Sequence, residues 1–142
     1  MGWVAGENGL EKNAANFVAL TPLSFLNRAR EVFPDKLAVV YADHRVTYRQ
    51  YHERCTRLAS GLVKLEVQSG DVVATILPNI PAHTEAHFGV PACGAILNAI
   101  NTRLDVNTVS YIFDHAGAKV ALVGGASLKA ADFSGIIGAY RR

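Results

Sequence analysis

The chain is poor in features that mark several protein classes at a glance. Its two cysteines, Cys55 and Cys93, stand far apart with no Cys-x-x-Cys spacing, which argues against a zinc knuckle or a redox pair and leaves reduced, packed thiols. No run approaches the roughly 18 consecutive apolar residues that a transmembrane helix needs. Residues 1–16 carry no basic stretch followed by a compact apolar core, so no secretory signal is predicted and the expected compartment is intracellular. Charge is nearly balanced, 14 Lys and Arg against 12 Asp and Glu. The charges are scattered except at Arg141-Arg142, which does not make a nucleic-acid footprint. Neither the Gly-x-Gly-x-x-Gly fingerprint nor the Gly-x-x-x-x-Gly-Lys-Ser/Thr loop occurs anywhere. No internal repeat or low-complexity tract divides the chain.

What is present is a hydrophobic half in 142 residues, enough for one domain with a real core. The stretch 70–104 organises the rest. An apolar β-rich run, 72–77, ends at Pro78-Asn79; an apolar helical pattern follows from Pro81, and a second extended run spans 96–100. Strand, crossover and strand imply a buried parallel sheet, because a connection with an apolar face must cover the sheet it crosses.

Upstream, residues 1–20 contain Gly2, Gly6 and Gly9 and hold no sustained period, which predicts a segment running over the surface. Thr21 is placed to cap a helix with Pro22 in its first turn; Leu23, Leu26, Ala29 or Arg30, and Phe33 recur at helical spacing until Pro34 stops it. Residues 37–41 and 45–47 are β-prone about Asp43-His44, a hairpin at the margin of the sheet. Thr47 and Gln50 match a capping box, and Tyr48, Tyr51, Cys55, Leu58, Ala59, Leu62 and Leu65 form the stripe of the helix it starts. Gln68-Ser69-Gly70 is the turn into the first core strand. Asn79 is the expected cap of the next helix, and Pro91 should kink or end it. The small residues Cys93-Gly94-Ala95 allow backbones to approach closely. Asp105 caps a further helix with Val109, Ile112, Phe113 and Ala116 facing inward and Gly117 as a left-handed stop, and strand 119–123 follows. Beyond it the pattern weakens, with a helical stretch possible within 127–140. The fold class is therefore α/β: a partial, mostly parallel sheet with crossover helices, plus a small antiparallel hairpin.

Four groups carry conceivable chemistry, each with a plainer alternative. His83 and His87 lie four apart on a helix and can share a metal, but no third ligand is evident and the His-Glu-x-x-His order is absent; the plainer reading is solvent-facing or locally paired rings. Asp43-His44 with Cys55 can be imagined as base and thiol, yet Cys55 sits on an apolar stripe where burial raises its pKa. Gly124-Gly125 follows a strand, as phosphate-cradling glycines do, but with neither phosphate-loop fingerprint present it reads as a turn. Asn101-Thr102-Arg103-Leu104-Asp105 stands at a strand end, where ligands of open α/β sheets bind, or is a helix cap with a flanking salt bridge. None amounts to a catalytic, cofactor-binding or metal constellation.

The same residues carry a resemblance. Thr21-Pro-Leu-Ser-Phe-Leu26 with Phe33-Pro-Asp-Lys-Leu-Ala38, then Val46-Thr-Tyr-Arg-Gln-Tyr51, then Gly70-Asp-Val-Val-Ala-Thr-Ile-Leu-Pro-Asn79 through Phe88-Gly-Val-Pro-Ala-Cys-Gly-Ala-Ile-Leu-Asn98 to Asn101-Thr-Arg-Leu-Asp105 resemble, in order, the N-terminal part of the adenylate-forming superfamily. The wording is similar to the plant-type acyl-activating enzymes, AMP-forming acyl-CoA synthetases. The resemblance covers residues 21–123, so the expected division is a surface segment 1–20, an α/β part 21–123 and a divergent peripheral tail 124–142. It implies a two-step reaction: ATP adenylates a carboxylic acid with magnesium neutralising the phosphates, and coenzyme A then displaces AMP.

The groups that perform this in the family have no counterpart among these residues: the Ser/Thr- and Gly-rich loop ending in Pro-Lys-Gly, the aromatic-Gly-x-Thr-Glu segment, the ribose-binding Asp, the hinge and the C-terminal catalytic Lys. Adenylyl transfer needs such preorganised charge. The expectation is a truncated N-terminal portion of an AMP-forming acid–CoA ligase, inactive alone, with ATP, Mg and CoA belonging to the full-length family and no cofactor to this chain. A truncated gene model, a splice product and a degenerate copy fit alike. The compartment it admits is cytosol or peroxisome, and there is no Ser-Lys-Leu ending. The alternative is a small non-catalytic α/β interaction or binding module, with self-association through an uncovered sheet edge and neither nucleic acid nor a membrane span among its partners.

Overall fold

The computed structural model describes residues 12–124. The surface segment expected over 1–20 lies partly outside them, and the helical stretch expected within 127–140, Gly125 and Arg141-Arg142 lie wholly outside.

Helix α1 (Pro22–Val32) starts where Thr21 accepts from the Ser24 amide and the Ser24 hydroxyl accepts from the Thr21 amide, a closed capping box. Only Leu26 of this helix is buried, and Phe33, expected on its inner face, is 52% exposed as the C-cap. Strands β1 (Leu37–Tyr41) and β2 (His44–Thr47) pair antiparallel, with Tyr41 opposite His44, so the turn is Ala42-Asp43 rather than Asp43-His44. Ala42 supplies the positive φ of 48° that so tight a reversal demands. This ribbon is a separate two-stranded sheet, not the margin of the main one. Its inner face, Ala38, Val39 and Val46, packs on Leu26, Tyr51 and Cys55.

Helix α2 (Tyr48–Lys64) begins with the predicted Thr47–Gln50 capping box. Its stripe buries Tyr51, Cys55 and Leu62, but Leu65 is exposed because the helix has already ended. Glu66 takes φ 61°, its amide donates to Val63 O, and the Val67 amide reaches back to Leu62 O. These are the two bonds of a Schellman stop, made here by a glutamate where glycine is usual. Val67 thereby joins Leu62 in the core.

Three parallel strands form the main sheet in the order β4 (Ile96–Ala99), β3 (Val72–Ile76), β5 (Ala118–Val123). Helix α3 (Pro81–Ala92) connects β3 to β4, and α4 (Val106–Ala116) carries the chain back across β3 to β5. Right-handed crossovers running in opposite directions place their helices on opposite faces. The alternation of β3 agrees: Val73 packs with Ala86 and Val90 of α3 and Leu62 of α2, while Ala74 and Ile76 pack with Val109 and Phe113 of α4.

Asn79 does not cap α3. Pro81 is its first residue, and the residue before a proline is steered away from helical angles, so Ile80 (φ −121°, ψ 163°) becomes an N-cap with no side-chain bond. The helix ends at Ala92, one residue past Pro91, as expected. Asp105 and Gly117 (φ 61°) bound α4 as predicted. The small residues 93–95 do allow a close approach, a β-carbon built at Gly94 meeting Ser69 Cα at 3.3 Å, and Gly89 is tighter still: a β-carbon built there would meet Leu58 Cδ2 at 2.7 Å and the Cys55 carbonyl oxygen at 3.0 Å.

Candidate functional site

The sheet's carboxyl end gathers the turn after β3, the segment 101–105 after β4 and Gly124 after β5. Order reverses between β3 and β5, the position at which open α/β sheets hold ligands. Two of the polar side chains there, Asp105 and Asn101, are spent locally. Asp105 accepts the Thr108 amide at 3.1 Å and its hydroxyl at 2.6 Å, and these bonds, the hydroxyl's first, hold its carboxyl below the usual range. Asn101 Oδ1 accepts the Arg103 amide at 2.9 Å. No salt bridge joins Arg103 to Asp105, so the segment is a cap preceded by an Asn turn. The Gly124 amide donates to Ile76 O at 3.1 Å, extending the ladder beyond β5.

His83 and His87 do come together. Their rings lie 4.9 Å apart at 50°, with His87 Nδ1 bonded to His83 O at 2.8 Å. Burial first, and then His87, push the His83 pKa down. No third side chain completes a metal set: among the described residues no cluster of three His, Cys, Asp or Glu exists. Asp43-His44 and Cys55 are not assembled. His44 lines a shallow cavity with Arg54 and Ile80, while Cys55 is buried beside Leu26 and Tyr51.

Residues that sequence reasoning did not join form a brace between α2 and α3. Glu85, 8% exposed, accepts from Arg54 Nε at 2.6 Å; Tyr51 OH donates to Thr84 O at 2.7 Å, and its ring meets Phe88 edge-on at 5.7 Å. Burial pushes both the Tyr51 hydroxyl and the Cys55 thiol up to about 12, with the Glu85 charge adding to it. Both are neutral at physiological pH, which makes this a structural tie rather than a nucleophile and its base. The one available signal was Glu85, a lone carboxylate on the apolar face of α3.

An open groove of about 920 Å³ lies between α1, the ribbon, α2 and α3. It is walled mainly by apolar side chains, among them Phe25, Phe33, Val39 and Phe88.

Comparison with known proteins follows the same residues. The family model described as AMP-binding enzyme matches residues 26–137. The chain is 48% identical over 114 residues to a peroxisomal acetate/butyrate–CoA ligase of Arabidopsis thaliana, covering 80% of this chain and 20% of that protein. It is 46% identical to a peroxisomal trans-cinnamate:CoA ligase of Petunia hybrida, with the same two coverages. The crystal structure of a putative long-chain-fatty-acid CoA ligase from Rhodopseudomonas palustris superposes with a TM-score of 0.74 at 30% identity, over 85% of this chain and 29% of that one. The chain thus spans about a fifth of the length of these curated relatives.

Proposed function

Because the chain belongs to the AMP-binding enzyme family, we propose that it serves as the N-terminal scaffold of an AMP-forming carboxylic acid–CoA ligase and is inactive alone. The observation that carries the reading is a pairing: strong identity to acid–CoA ligases over most of this chain, alongside a span of only about a fifth of their length. In a full-length enzyme ATP would activate the acid and coenzyme A would accept the acyl group. The described residues do not fit magnesium: no three His, Cys, Asp or Glu among them cluster, and Asp71 is spent on Lys119, Asp105 on Thr108, Glu85 on Arg54 and Asp35 on Arg49. No step is assigned to them.

The relatives act on acids as different as acetate and cinnamate, so the acid is left open. The peroxisomal names of several relatives support a peroxisomal setting, with the cytosol as the alternative. The outer edges of β4 and β5 have no strand partner among the described residues, and we read them as docking edges for further strands or for self-association. A second reading, a small non-catalytic binding module, is favoured by the apolar groove.

A graft tests the proposal. Residues 21–123 replace the matching segment of the Arabidopsis acetate/butyrate–CoA ligase, and acid- and CoA-dependent AMP release is measured. The scaffold reading expects a folded, active chimera; a folded chimera without activity contradicts it.

A further inference from the structure

We propose that His83 and His87, one turn apart at the start of α3, chelate a late first-row divalent cation, copper(II) before the others. Their spacing of four residues sets both imidazoles on one face of the helix. The rings stand 4.9 Å apart, centre to centre, at an angle of 50°. A metal about 2.0–2.1 Å from a ring nitrogen lies about 3.2 Å from that ring's centre, so two imidazoles sharing one ion at about 90–110° stand about 4.5–5.2 Å apart. The observed separation falls inside that window with no movement of the helix. The nitrogens agree. His87 Nδ1 lies 2.8 Å from the carbonyl oxygen of His83, which can only accept, so Nδ1 carries the proton and Nε2 keeps a free lone pair. His83 Nε2 is buried without a hydrogen-bond partner among the described residues. A buried nitrogen left unpaired is destabilising, and turning this partly exposed ring toward His87 converts it into a ligand.

The choice of metal follows from the donors. Magnesium and calcium take oxygen ligands, which two imidazoles do not supply. Structural zinc takes four protein ligands and catalytic zinc three, and no described His, Cys, Asp or Glu joins this pair as a third. Copper(II) heads the affinity order of first-row divalent ions at nitrogen sites and accepts a tetragonal sphere that water completes. Such a bond would act where the helix is weakest. Ile80 offers α3 no side-chain cap, and Gly89 and Pro91 lower the propensity of its twelve residues. The chelate ties the third helical residue to the seventh and braces a first turn that no cap closes. None of this depends on the ligase reading.

The test uses the full 142-residue chain, with copper(II) as the main probe and nickel(II) as one that does not oxidise thiols. Titration calorimetry reads affinity, electron paramagnetic resonance of the copper(II) form counts coordinated nitrogens, and circular-dichroism melts with nickel(II) read stability. Two imidazole nitrogens are expected, with copper(II) bound more tightly than nickel(II), magnesium not bound, and a Tm that rises with nickel(II) and returns with a chelator. His83→Asn and His87→Asn each remove one of two linked donors and should weaken binding about a hundredfold. His115→Asn, on α4, should change nothing. His87→Asn also removes the bond to the His83 carbonyl, so the metal-free melts are compared first; His83→Asn, whose ring makes no described hydrogen bond, carries the test if His87→Asn is destabilised. Equal affinity for copper(II) in the His83→Asn/His87→Asn double variant, a single coordinated nitrogen, an unmoved Tm, or no binding overturns the proposal.

Discussion

Replacing Gly89 by alanine adds one methyl group at a tight crossing, where α3 passes over α2. The added carbon would lie 2.7 Å from Leu58 Cδ2, 2.9 Å from Leu58 Cγ and 3.0 Å from the Cys55 carbonyl oxygen. Leu58 can rotate in part, but the carbonyl belongs to a helix and cannot retreat without moving it. Overpacking of this kind costs about 1–3 kcal/mol. Against it stands the gain of about 0.5–1 kcal/mol from replacing a helical glycine by alanine. The net is a loss of about 1–2 kcal/mol, or a fall of about 4–8 °C in Tm for a domain of this size. Gly61 on α2 is the internal control, since nothing lies within 4 Å of a β-carbon there. Gly61→Ala should therefore raise Tm by about 2–4 °C through propensity alone. Thermal melts followed by circular dichroism read both. In a double-mutant cycle, Leu58→Ala should recover about 1 kcal/mol of the Gly89→Ala loss by vacating the space. A neutral or stabilising Gly89→Ala, or two glycine variants shifting Tm alike, would refute the described packing of α2 on α3.

Three further outcomes follow from named contacts. Glu66→Gly should stabilise the chain by about 1 kcal/mol in urea titrations, because it relieves a left-handed residue that has a β-carbon while keeping both Schellman bonds; a loss would mean that the Glu66 side chain matters. With its thiol pushed up to about 12, Cys55 should form about a thousandfold less thiolate than an ordinary cysteine, and mass spectrometry after brief alkylation at pH 8 should find it unmodified in the folded chain and labelled in urea. Rapid labelling of native Cys55 would show that the α2–α3 interface opens. Lys119 first, and then the Gln68 amide, hold the Asp71 carboxyl below its usual pKa, so this pair's stabilisation is present above the unfolded carboxylate pKa and is lost as pH falls through the lower folded value. The stability gap between the parent chain and Asp71→Asn should accordingly be full at pH 7 and close in strong acid; a gap independent of pH would exclude the ion pair as its cause.

How much of this was legible depended on whether a feature is local. Thr47 and Gln50 declare a helix start because the capping box closes within four residues, and Gly117 declares a stop because a left-handed angle suits glycine. The parallel sheet was legible from the succession of short apolar runs and crossover patterns over 70–123. What escaped depended on neighbours. Asn79 is the better capping residue, yet Pro81 determines where the helix begins and leaves Ile80 in its place. Ala42 and Glu66 adopt left-handed angles that their identities do not advertise. The Arg54–Glu85 tie and the Gly89 contact both depend on how α2 and α3 are set against each other, a register that no periodicity within either helix encodes. The groove likewise arises only once α1 and the ribbon fold against the other helices.

The central claim is that these residues support adenylation without performing it. Its most direct test is acid-dependent exchange of labelled pyrophosphate into ATP by the purified 142-residue chain with magnesium, across acetate, butyrate and cinnamate. The scaffold account predicts exchange no greater than in the protein-free blank for each acid. Exchange that rises with protein concentration and requires the acid would contradict it.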